Sequence, residues 1–510
     1  MYDDKILKKI YEKGYFISVD AYPLLNNFSE KEIEEIIKNL EAEEGKIDII
    51  NKEILEKYIN KLKEREKSLE KNKLEEVLIH EKVERYVGEE YELPIEVLRN
   101  YDSNKNEITI NTWISYFKSR LNKIKKILNE HLDLKNSYSI SNIPKKEKIA
   151  ISGIIYDKKI TEKGVYFIVE DNTGKIKVFV GNNVKNYKLI KDIPADAVVG
   201  FIGRLSGNLF FAEQVIFPDV PNRMEVKKGN LDAYIVLTGD FQIGSKLFIK
   251  KAFERFILFL KGEYGDEKLR EISKKVGYLL IVGDNVDGVG IYPDQENELE
   301  IVSYEKQYKE FEKYMLEIPE HIKIAIIPGN HDIVRTAEPQ PPIPKEYLHN
   351  LYGLKNIFML SNPCYLKIDN LIVLMYHGYS FDWFVSDIST IRESGGYENP
   401  AEIMKFSLML RHLNPHHGAS PYVPYFNDDP LVIDIVPDIY HTGHIHRAAY
   451  QVYRGIEMFN TSTFQDITKY QLELGHRPVS GIVYLRNIKT GEVIEIDFIN
   501  ETIKRLKNNK

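Results

Sequence analysis

Five short clusters of carboxylate, amide and imidazole side chains in the C-terminal half of the chain most constrain how it can fold. Each cluster directly follows an apolar segment of strand length, and the ligands of open α/β sheets gather at the carboxyl ends of strands. A Gly-Asp pair is often only a turn, and a lone histidine is more often a satisfied polar residue than a ligand. Five such clusters in order within one domain nevertheless predict a metal site. They read Thr238-Gly239-Asp240-Phe241-Gln242, Gly283-Asp284-Asn285-Val286-Asp287-Gly288, Pro328-Gly329-Asn330-His331-Asp332, Tyr376-His377-Gly378 and Thr442-Gly443-His444-Ile445-His446.

The donor atoms of these clusters narrow the choice of metal. They are oxygens and imidazole nitrogens, a set that suits manganese, iron or zinc. The sequence holds a single cysteine, Cys364, which excludes an intrachain disulfide and a cysteine-based zinc site. We therefore expect divalent cations held by carboxylates, amides and histidines.

The segments between the clusters predict a layered α/β domain, because apolar strands alternate with helices from Leu231 onward. Such an order is typical of a sheet buried on both faces. The predicted elements are strands at Tyr234–Leu237, Tyr278–Val282, Lys323–Ile327 and Leu371–Met375, helices at Phe248–Leu260 and Tyr304–Leu316, and a closing pair of strands at Gly481–Asn487 and Glu492–Phe498.

Ahead of this domain, the hydrophobic period changes to that of short strands. Five strands within about seventy residues suit a small barrel of the OB type, whose face binds single strands or protein. Tyr166 and Phe167 are able to stack on bases, but alternating aromatics in a small barrel more often fill its core. The predicted elements are a helix near Thr112–His131 and strands at Ile149–Tyr156, Val165–Glu170, Lys175–Val180, Ala197–Leu205 and Phe210–Ile216.

The whole chain is predicted to be multi-domain, since 510 residues exceed what one hydrophobic core usually serves. We expect an N-terminal helical module at 1–60, a charged linker at 61–106, the helix and barrel at 107–220 and the α/β domain at 228–505. No signal segment or membrane-length apolar run is evident, so a cytoplasmic protein is expected. The net charge of −7 argues against a general electrostatic grip on nucleic acid, so any contact with nucleic acid is expected to be local or shared with a partner.

The ordered clusters resemble the motifs of the calcineurin-like metallophosphoesterases, which run Asp-x-His, Gly-Asp-x-x-Asp, Gly-Asn-His-Asp/Glu, a lone His and Gly-His-x-His. Four of the five match. The resemblance implies an α/β sandwich in which Asp284 bridges two divalent metals. It also implies Asp240 and His446 on the first metal, Asn330, His377 and His444 on the second, and His331 beside the leaving oxygen with Asp287 orienting its ring.

The first motif departs from that pattern, because Gln242 stands where the family has histidine. An amide oxygen coordinates hard cations but is a poorer donor than imidazole toward transition metals. The first metal is therefore expected to bind weakly through Gln242, or to be manganese or magnesium. The departure also puts hydrolysis itself in question.

The stretches around the motifs resemble a narrower family, the small subunits of archaeal family-D DNA polymerases. They include Gly290-Ile291-Tyr292-Pro293, His331-Asp332-Ile333-Val334-Arg335 and Ala337-Glu338-Pro339-Gln340-Pro341. The resemblance implies a heterodimer with a large catalytic polymerase subunit. It further implies a two-metal 3′–5′ exonuclease that acts on single-stranded or mismatched DNA ends.

Two other functions fit the same residues. A non-catalytic scaffold subunit is favoured by Gln242, since such subunits keep the fold and lose ligands. A stand-alone metallophosphatase explains the metal motifs and leaves the barrel and the linker without a role.

Overall fold

A computed structural model describes residues 10–12, 14–27, 38, 49–57, 59–60, 86–102, 107–144, 146, 148–473 and 475–506. The chain divides into two compact units, residues 1–84 and 85–510. Within the described ranges, none of the helices is long and apolar enough to cross a membrane.

The N-terminal unit contains two short parallel strands, β1 (Phe16–Ile17) and β2 (Ile49–Ile50), and a 3-10 helix at Tyr22–Asn27. Its buried core includes Ile10 and Leu55. Much of the range 1–60 lies outside the described residues, so the helical module expected there remains a prediction.

Part of the predicted charged linker is sheet instead. A short helix, α1 (Val87–Glu90), leads to strand β3 (Ile95–Arg99), which pairs antiparallel with the later strand Cys364–Ile368. The many charged residues around it obscure the short β-forming run Ile95-Glu96-Val97-Leu98 in the sequence. In the structure this strand pairs with a sheet edge that would otherwise be open. Residues 61–85 and 103–106 of the linker lie outside the described residues.

Helix α2 (Ile110–Leu128) follows, close to the predicted range. It begins at Thr109, whose hydroxyl accepts a hydrogen bond from the Thr112 backbone N–H at 3.3 Å and so caps the first turn. Its apolar face, which includes Leu121 and Ile124, packs against Val198 of the barrel.

The five predicted barrel strands are confirmed. They form a closed barrel in the order β4-β5-β6-β8-β7, with a short helix between β6 and β7. Inward side chains such as Val165, Phe167 and Val169 are fully buried, whereas the residues between them are partly exposed. The OB-type assignment remains a prediction. The bounds are β4 Ile149–Thr161, β5 Gly164–Asp171, β6 Gly174–Gly181, α3 Tyr187–Lys191, β7 Val198–Ser206 and β8 Leu209–Ile216.

The predicted layered α/β domain is confirmed as two mixed sheets with helices on their outer faces. One sheet has seven strands in the order β12-β11-β10-β9-β18-β19-β20, and the other has six in the order β16-β17-β15-β14-β13-β3. Strands of the first sheet are β9 Tyr234–Thr238, β10 Val276–Val282, β11 Lys323–Ile327, β12 Ile357–Met359, β18 Ile482–Asn487, β19 Val493–Asp497 and β20 Thr502–Leu506. Strands of the second sheet are β13 Cys364–Ile368, β14 Leu371–Tyr376, β15 Ile439–Thr442, β16 Ala449–Tyr453 and β17 Ile456–Asn460.

The inner faces of the two sheets share one core, in which Leu237 and Val282 meet Val373 and Met375. Helices that cover the sheets include α4 Lys250–Leu260, α5 Glu267–Lys274, α6 Tyr304–Leu316, α7 Phe381–Asp387, α8 Ser389–Glu393 and α9 Pro400–Leu410, and a short α10 lies at Lys469–Glu473. The core under α7 and α9 continues into the core of the barrel, so barrel and sandwich form one packed body.

A buried ion pair reinforces that junction. Arg120 of α2 and Asp429 of the sandwich are both fully buried, with Nε 2.7 Å from Oδ2. The guanidinium also donates to the backbone carbonyls of Asp196, beside the barrel, and of Pro415. His412 Nε2 lies 2.9 Å from the same carboxylate oxygen. Burial alone would raise the pKa of Asp429, but the charges and hydrogen bonds of Arg120 and His412 together outweigh it and hold the pKa well below its usual range.

We expect Arg120→Met to destabilise the protein by about 3–5 kcal/mol, because it leaves the Asp429 carboxylate buried without its cation. Urea unfolding of the full chain measures the loss. The matched control is Arg505→Met, which breaks an exposed pair with Glu492 and should change stability by less than about 1 kcal/mol. Equal losses of unfolding free energy in the two variants would show that the buried pair stabilises the protein no more than the Arg505–Glu492 pair does.

Candidate metal centre

The predicted ligands lie close together because the carboxyl ends of the parallel strands of both sheets lie at the same edge of the sandwich. β9, β10 and β11 are parallel neighbours in the first sheet, and β14 and β15 are parallel neighbours in the second. The loops after these five strands carry the five clusters. The two sheets are joined here directly, since His377 Nδ1 lies 2.9 Å from the Val282 carbonyl oxygen and the His444 backbone N–H donates to the Asp240 carboxylate at 3.1 Å.

Asp284 lies at the centre of the group. Its Oδ1 is 3.4 Å from His377 Nε2, and its Oδ2 accepts a hydrogen bond from Gln242 Nε2 at 3.0 Å. One donor atom each from Asp240, Asp284 and His377 lie within 4.8 Å of one another. These spacings allow a cation to be shared among ligands from three strand ends.

The remaining predicted ligands border this group. Asn330 Oδ1 is 2.9 Å from His377 Nε2, and His446 Nε2 is 3.4 Å from Asp240 Oδ1. The rings of His377 and His444 are 5.2 Å apart between centroids. All seven predicted ligands therefore lie in one cluster.

Motif glycines let the backbones approach this closely. A Cβ on Gly329 would lie 2.1 Å from Asp284 Oδ1, and a Cβ on Gly443 would lie 2.3 Å from Asp240 Oδ2. Both distances are below any tolerable contact, so each position requires glycine.

Five of the seven candidate ligands have a left-handed backbone. The φ angles are +51° at Asp240, +54° at Gln242, +48° at Asp284, +67° at His444 and +54° at His446. Such conformations are unfavourable for residues with a side chain and concentrate at functional sites. This clustering is independent support for a site at this edge.

Hydrogen bonds set the ring orientation of His377. With its Nδ1–H donated to the Val282 carbonyl, the neutral ring leaves its Nε2 lone pair free for a cation shared with the oxygens of Asp284 and Asn330. Burial lowers the pKa of His377, which favours that neutral form. Burial also raises the pKa of Asp284, but at the acid pH where that carboxyl titrates the protonated rings of His377 and His331 outweigh burial and lower the pKa to about 2. The site thus presents an ionised carboxylate beside a neutral imidazole.

His446 is held differently. Gln471 Oε1 accepts from the Thr468 backbone N–H at 3.0 Å, so its amide donates to His446 Nδ1 at 2.9 Å. The neutral ring then carries its proton on Nε2, facing Asp240. A cation bound through Nε2 would displace that proton.

The surroundings of Gln242 show whether the residues of the site fit a metal. The side chain is fully buried, and its Oε1 is without a hydrogen-bond partner in the described structure. An unsatisfied buried acceptor costs about 1–3 kcal/mol. A hard cation beside Asp240 and His446 would use this oxygen once the amide turns over, so the residues present fit a divalent metal.

His331 lies at the rim of the cluster. Its Nδ1 is 2.8 Å from the Asp287 backbone carbonyl, whereas the Asp287 carboxylate is 3.8 Å away. The ring is thus oriented by the main chain of Asp287, with the carboxylate adding charge. Burial lowers the pKa of His331, but Asp284 and Asp287 outweigh it and the pKa is raised.

Four supporting residues escaped the sequence prediction of site residues. Gln465 Nε2 donates to the Asp287 carboxylate at 3.0 Å, Asp382 Oδ2 is 2.9 Å from His444 Nε2, and Gln471 holds His446. Asp332, although inside a motif, accepts from the backbone N–H groups of Asn285 and Gly329 and so ties two ligand loops together. Only Asp332 carried a sequence signal, because the other three come from loops and helices with no fixed spacing to a strand end.

A cleft of about 680 Å³ opens over the cluster. Its floor includes Asp284, His331 and His444, and its walls are rich in aromatic side chains. The rings of Tyr292 and Tyr470 stack at 5.0 Å with an interplanar angle of 12°. The opening therefore combines buried ligands with flat apolar surfaces.

Known proteins resemble this chain in sequence. A family model that describes the B subunits of DNA polymerases alpha and epsilon matches residues 266–450. The "DNA polymerase II small subunit" of Methanothermobacter thermautotrophicus is 33% identical and covers 96% of this chain and 99% of its own length. The proteins of the same description from Methanocaldococcus jannaschii and Archaeoglobus fulgidus are 36% and 37% identical, covering 80% and 77% of this chain and 69% and 78% of their own lengths.

Among solved structures, Vps29 complexed with zinc from Entamoeba histolytica covers 54% of this chain and 97% of its own. The sequence identity is 13% and the TM-score is 0.26, which is too low to support an argument.

We expect manganese to raise the free energy of unfolding by about 2.7 kcal/mol at one hundred times its dissociation constant. Asp284→Asn should abolish that increase, because it removes the shared carboxylate charge. Thermal unfolding with and without EDTA measures it, with Asp466→Asn, an exposed carboxylate, as control. An undiminished manganese effect in Asp284→Asn would place the metal elsewhere.

The His444–Asp382 pair predicts a pH dependence. Burial lowers the pKa of His444, but the Asp382 carboxylate outweighs it and raises the pKa to about 9 from the usual 6.5. The pair's stabilisation is therefore complete below about pH 6.5 and is lost as the pH rises through about 9.

Asp382→Asn should lower the pKa of His444 in metal-free protein, because the favourable charge is gone. Histidine NMR titration, with the resonance assigned by His444→Gln, measures the shift. Asp387→Asn, a nearby cleft residue, should leave the titration in place. A wild-type His444 that titrates near pH 6.5 would contradict the assignment.

Proposed function

The chain belongs to the small-subunit family of archaeal family-D DNA polymerases, and from that membership we propose that it is a two-metal 3′–5′ exonuclease that proofreads DNA ends. Its partner in this proposal is the large catalytic subunit of the polymerase, and its substrate is a single-stranded or mismatched 3′ end. The observation that carries the proposal is the gathering of seven metal-type donors, with Asp284 at their centre, at one open cleft.

The residues present suit phosphodiester hydrolysis. A phosphodiester is anionic and repels hydroxide in water, and two divalent cations held by the seven ligands would supply charge neutralisation and a bound water of lowered pKa. Manganese is the metal we favour, because carboxylate and amide oxygens accompany the imidazoles; magnesium, zinc and iron are the alternatives for the same donor set.

His331 has the properties of a proton donor in this reaction. It lines the cleft, its Nε2 is 3.8 Å from Asp284 Oδ2, and neighbouring carboxylates raise its pKa. A protonated ring at that place stabilises charge on a departing alkoxide oxygen. Asp287 supports it through the carbonyl contact at Nδ1 and through its nearby carboxylate.

The aromatic walls favour nucleic acid over a small phosphomonoester. Tyr292, Tyr470 and Tyr397 line the cleft, and base stacking on aromatic rings is tolerant of sequence. Such walls suit an enzyme that must accept any terminal nucleotide, and they weigh against the stand-alone phosphatase.

One observation favours a scaffold as the second candidate function. The Gln242 amide nitrogen, and not its oxygen, faces Asp284, whose Oδ2 accepts its hydrogen bond at 3.0 Å. This hydrogen bonding fills a ligand position without metal. A subunit that had lost catalysis would have such an arrangement.

We expect the purified chain to degrade single-stranded DNA when manganese is present, and Gln242→His to degrade it faster because imidazole is the stronger donor. His446→Ala should lose activity by about 100-fold or more, because even the partners that orient a metal ligand are each worth about 10–100-fold. The matched control is His349→Ala, at an exposed histidine outside the cleft lining. Product lengths on denaturing gels, with 5′- and 3′-labelled mismatched primers, report rate and direction.

The scaffold is the correct function if neither wild type nor Gln242→His digests DNA, alone or with the large subunit. Faster turnover of a small phosphomonoester than of DNA would instead support the phosphatase. Digestion from the 5′ end would leave the nuclease in place and refute proofreading.

A further inference from the structure

A row of five side chains crosses the outer face of the barrel. Tyr166 on β5 pairs with Phe179 on β6, and Phe179 pairs with Phe211 on β8. Lys159 on β4 pairs with Tyr166 at one end of the row, and Arg204 on β7 pairs with Phe211 at the other. Side chains at directly paired positions project from the same face of a sheet. We call these five residues the barrel stripe.

The stripe faces away from the barrel core. Phe167, next to Tyr166, is fully buried and fills the core as the sequence analysis expected of such aromatics. Tyr166, Phe179 and Phe211 are instead only partly buried. Their rings form a continuous surface, with centroids 4.8 Å apart for Tyr166–Phe179 and 6.0 Å apart for Phe179–Phe211. Three adjacent outward rings exceed what the barrel needs for its own packing.

Exposed cations border the rings. Lys159 and Arg204 close the two ends, and Lys177 places its Nζ 4.6 Å from the centre of the Tyr166 ring. On the same strands, the carboxylate of Glu170 is paired with Lys175 at 3.3 Å. The carboxylates of Asp157 and Glu213 lie two residues along their strands from the stripe. Positive charge thus lies on both sides of the rings, although the chain as a whole is acidic.

We propose that the barrel stripe binds single-stranded DNA, at a site separate from the metal centre. Aromatic rings accept the faces of unpaired bases, and cations at both ends of the row contact the phosphates of a strand laid across it. A protein partner is disfavoured, because the centre of a protein interface is depleted of lysine, and Lys159 and Lys177 lie beside the Tyr166 ring. The proposal does not rest on hydrolysis, since it needs no metal.

Photocrosslinking locates the bound strand. The full chain in EDTA is irradiated with oligothymidine that carries 5-iodouracil, and the crosslinked peptides are mapped by mass spectrometry. We expect crosslinks at Tyr166, Phe179 or Phe211. Crosslinks confined to the cleft residues Tyr292, Tyr397 and Tyr470 would overturn the proposal.

Affinity measurements on variants test the two kinds of contact. By fluorescence anisotropy in EDTA, Phe179→Ala and Tyr166→Leu should each weaken binding of oligothymidine by about tenfold, the effect of losing one stacked base. Lys177→Gln and Arg204→Gln should each reduce the slope of log affinity against log salt by about 0.7. Two substituted rings guard against a single variant that fails to fold.

The controls are Phe426→Ala, a ring that is 55% exposed in the sandwich domain, and Lys251→Gln on helix α4. Neither should change binding. Unchanged affinity in both ring variants, or an equal loss in the controls, would refute the stripe. A ring variant that binds DNA normally but no longer co-purifies with the large subunit would show that this surface binds a protein. Because every assay is done without metal, an inactive nuclease leaves these results unaffected.

Discussion

The candidate metal centre depends on how the two sheets of the sandwich are aligned. Each sheet contains a run of parallel neighbouring strands, and packing places the carboxyl ends of both sets at one edge. A side chain from the second sheet, His377, then bonds to the main chain of Val282 in the first. The shared apolar core fixes this alignment, because interiors packed to crystal-like density do not slide continuously. The ligand cluster is therefore a product of the whole sandwich and not of any one loop.

The backbone conformations and buried polar groups of this centre would be unfavourable without the structure that surrounds them. Asp240 and Asp284 are buried carboxylates with left-handed backbones, and Gln242 leaves an oxygen unsatisfied. Surrounding groups compensate for this. Asp332 accepts hydrogen bonds from two ligand loops, and Tyr308 donates to it at 2.8 Å. Strain of this kind persists only where the surrounding structure over-determines it.

The sequence predicted the strands that end at the site, because long apolar runs and the motifs after them are strong local signals. For the same reason it placed the seven candidate ligands at one edge, and their role as metal ligands remains a prediction. It missed β3, since a run of five residues is diluted within a charged segment, and it missed Asp382, Gln465 and Gln471, which reach the site only through tertiary folding. It also could not separate Tyr166 from Phe167, because period-2 alternation does not say which set of residues faces inward.

The continuous core between barrel and sandwich, closed by Arg120 and Asp429, has a geometric consequence. Two lobes joined by a hinge would sample many separations, whereas this junction fixes the interval between the barrel's outer face and the cleft. A polymer that contacts both the barrel's outer face and the cleft must be at least as long as this fixed distance. A shorter polymer contacts only one of the two surfaces. Substitutions at the junction would change that minimum length even though they lie far from either end.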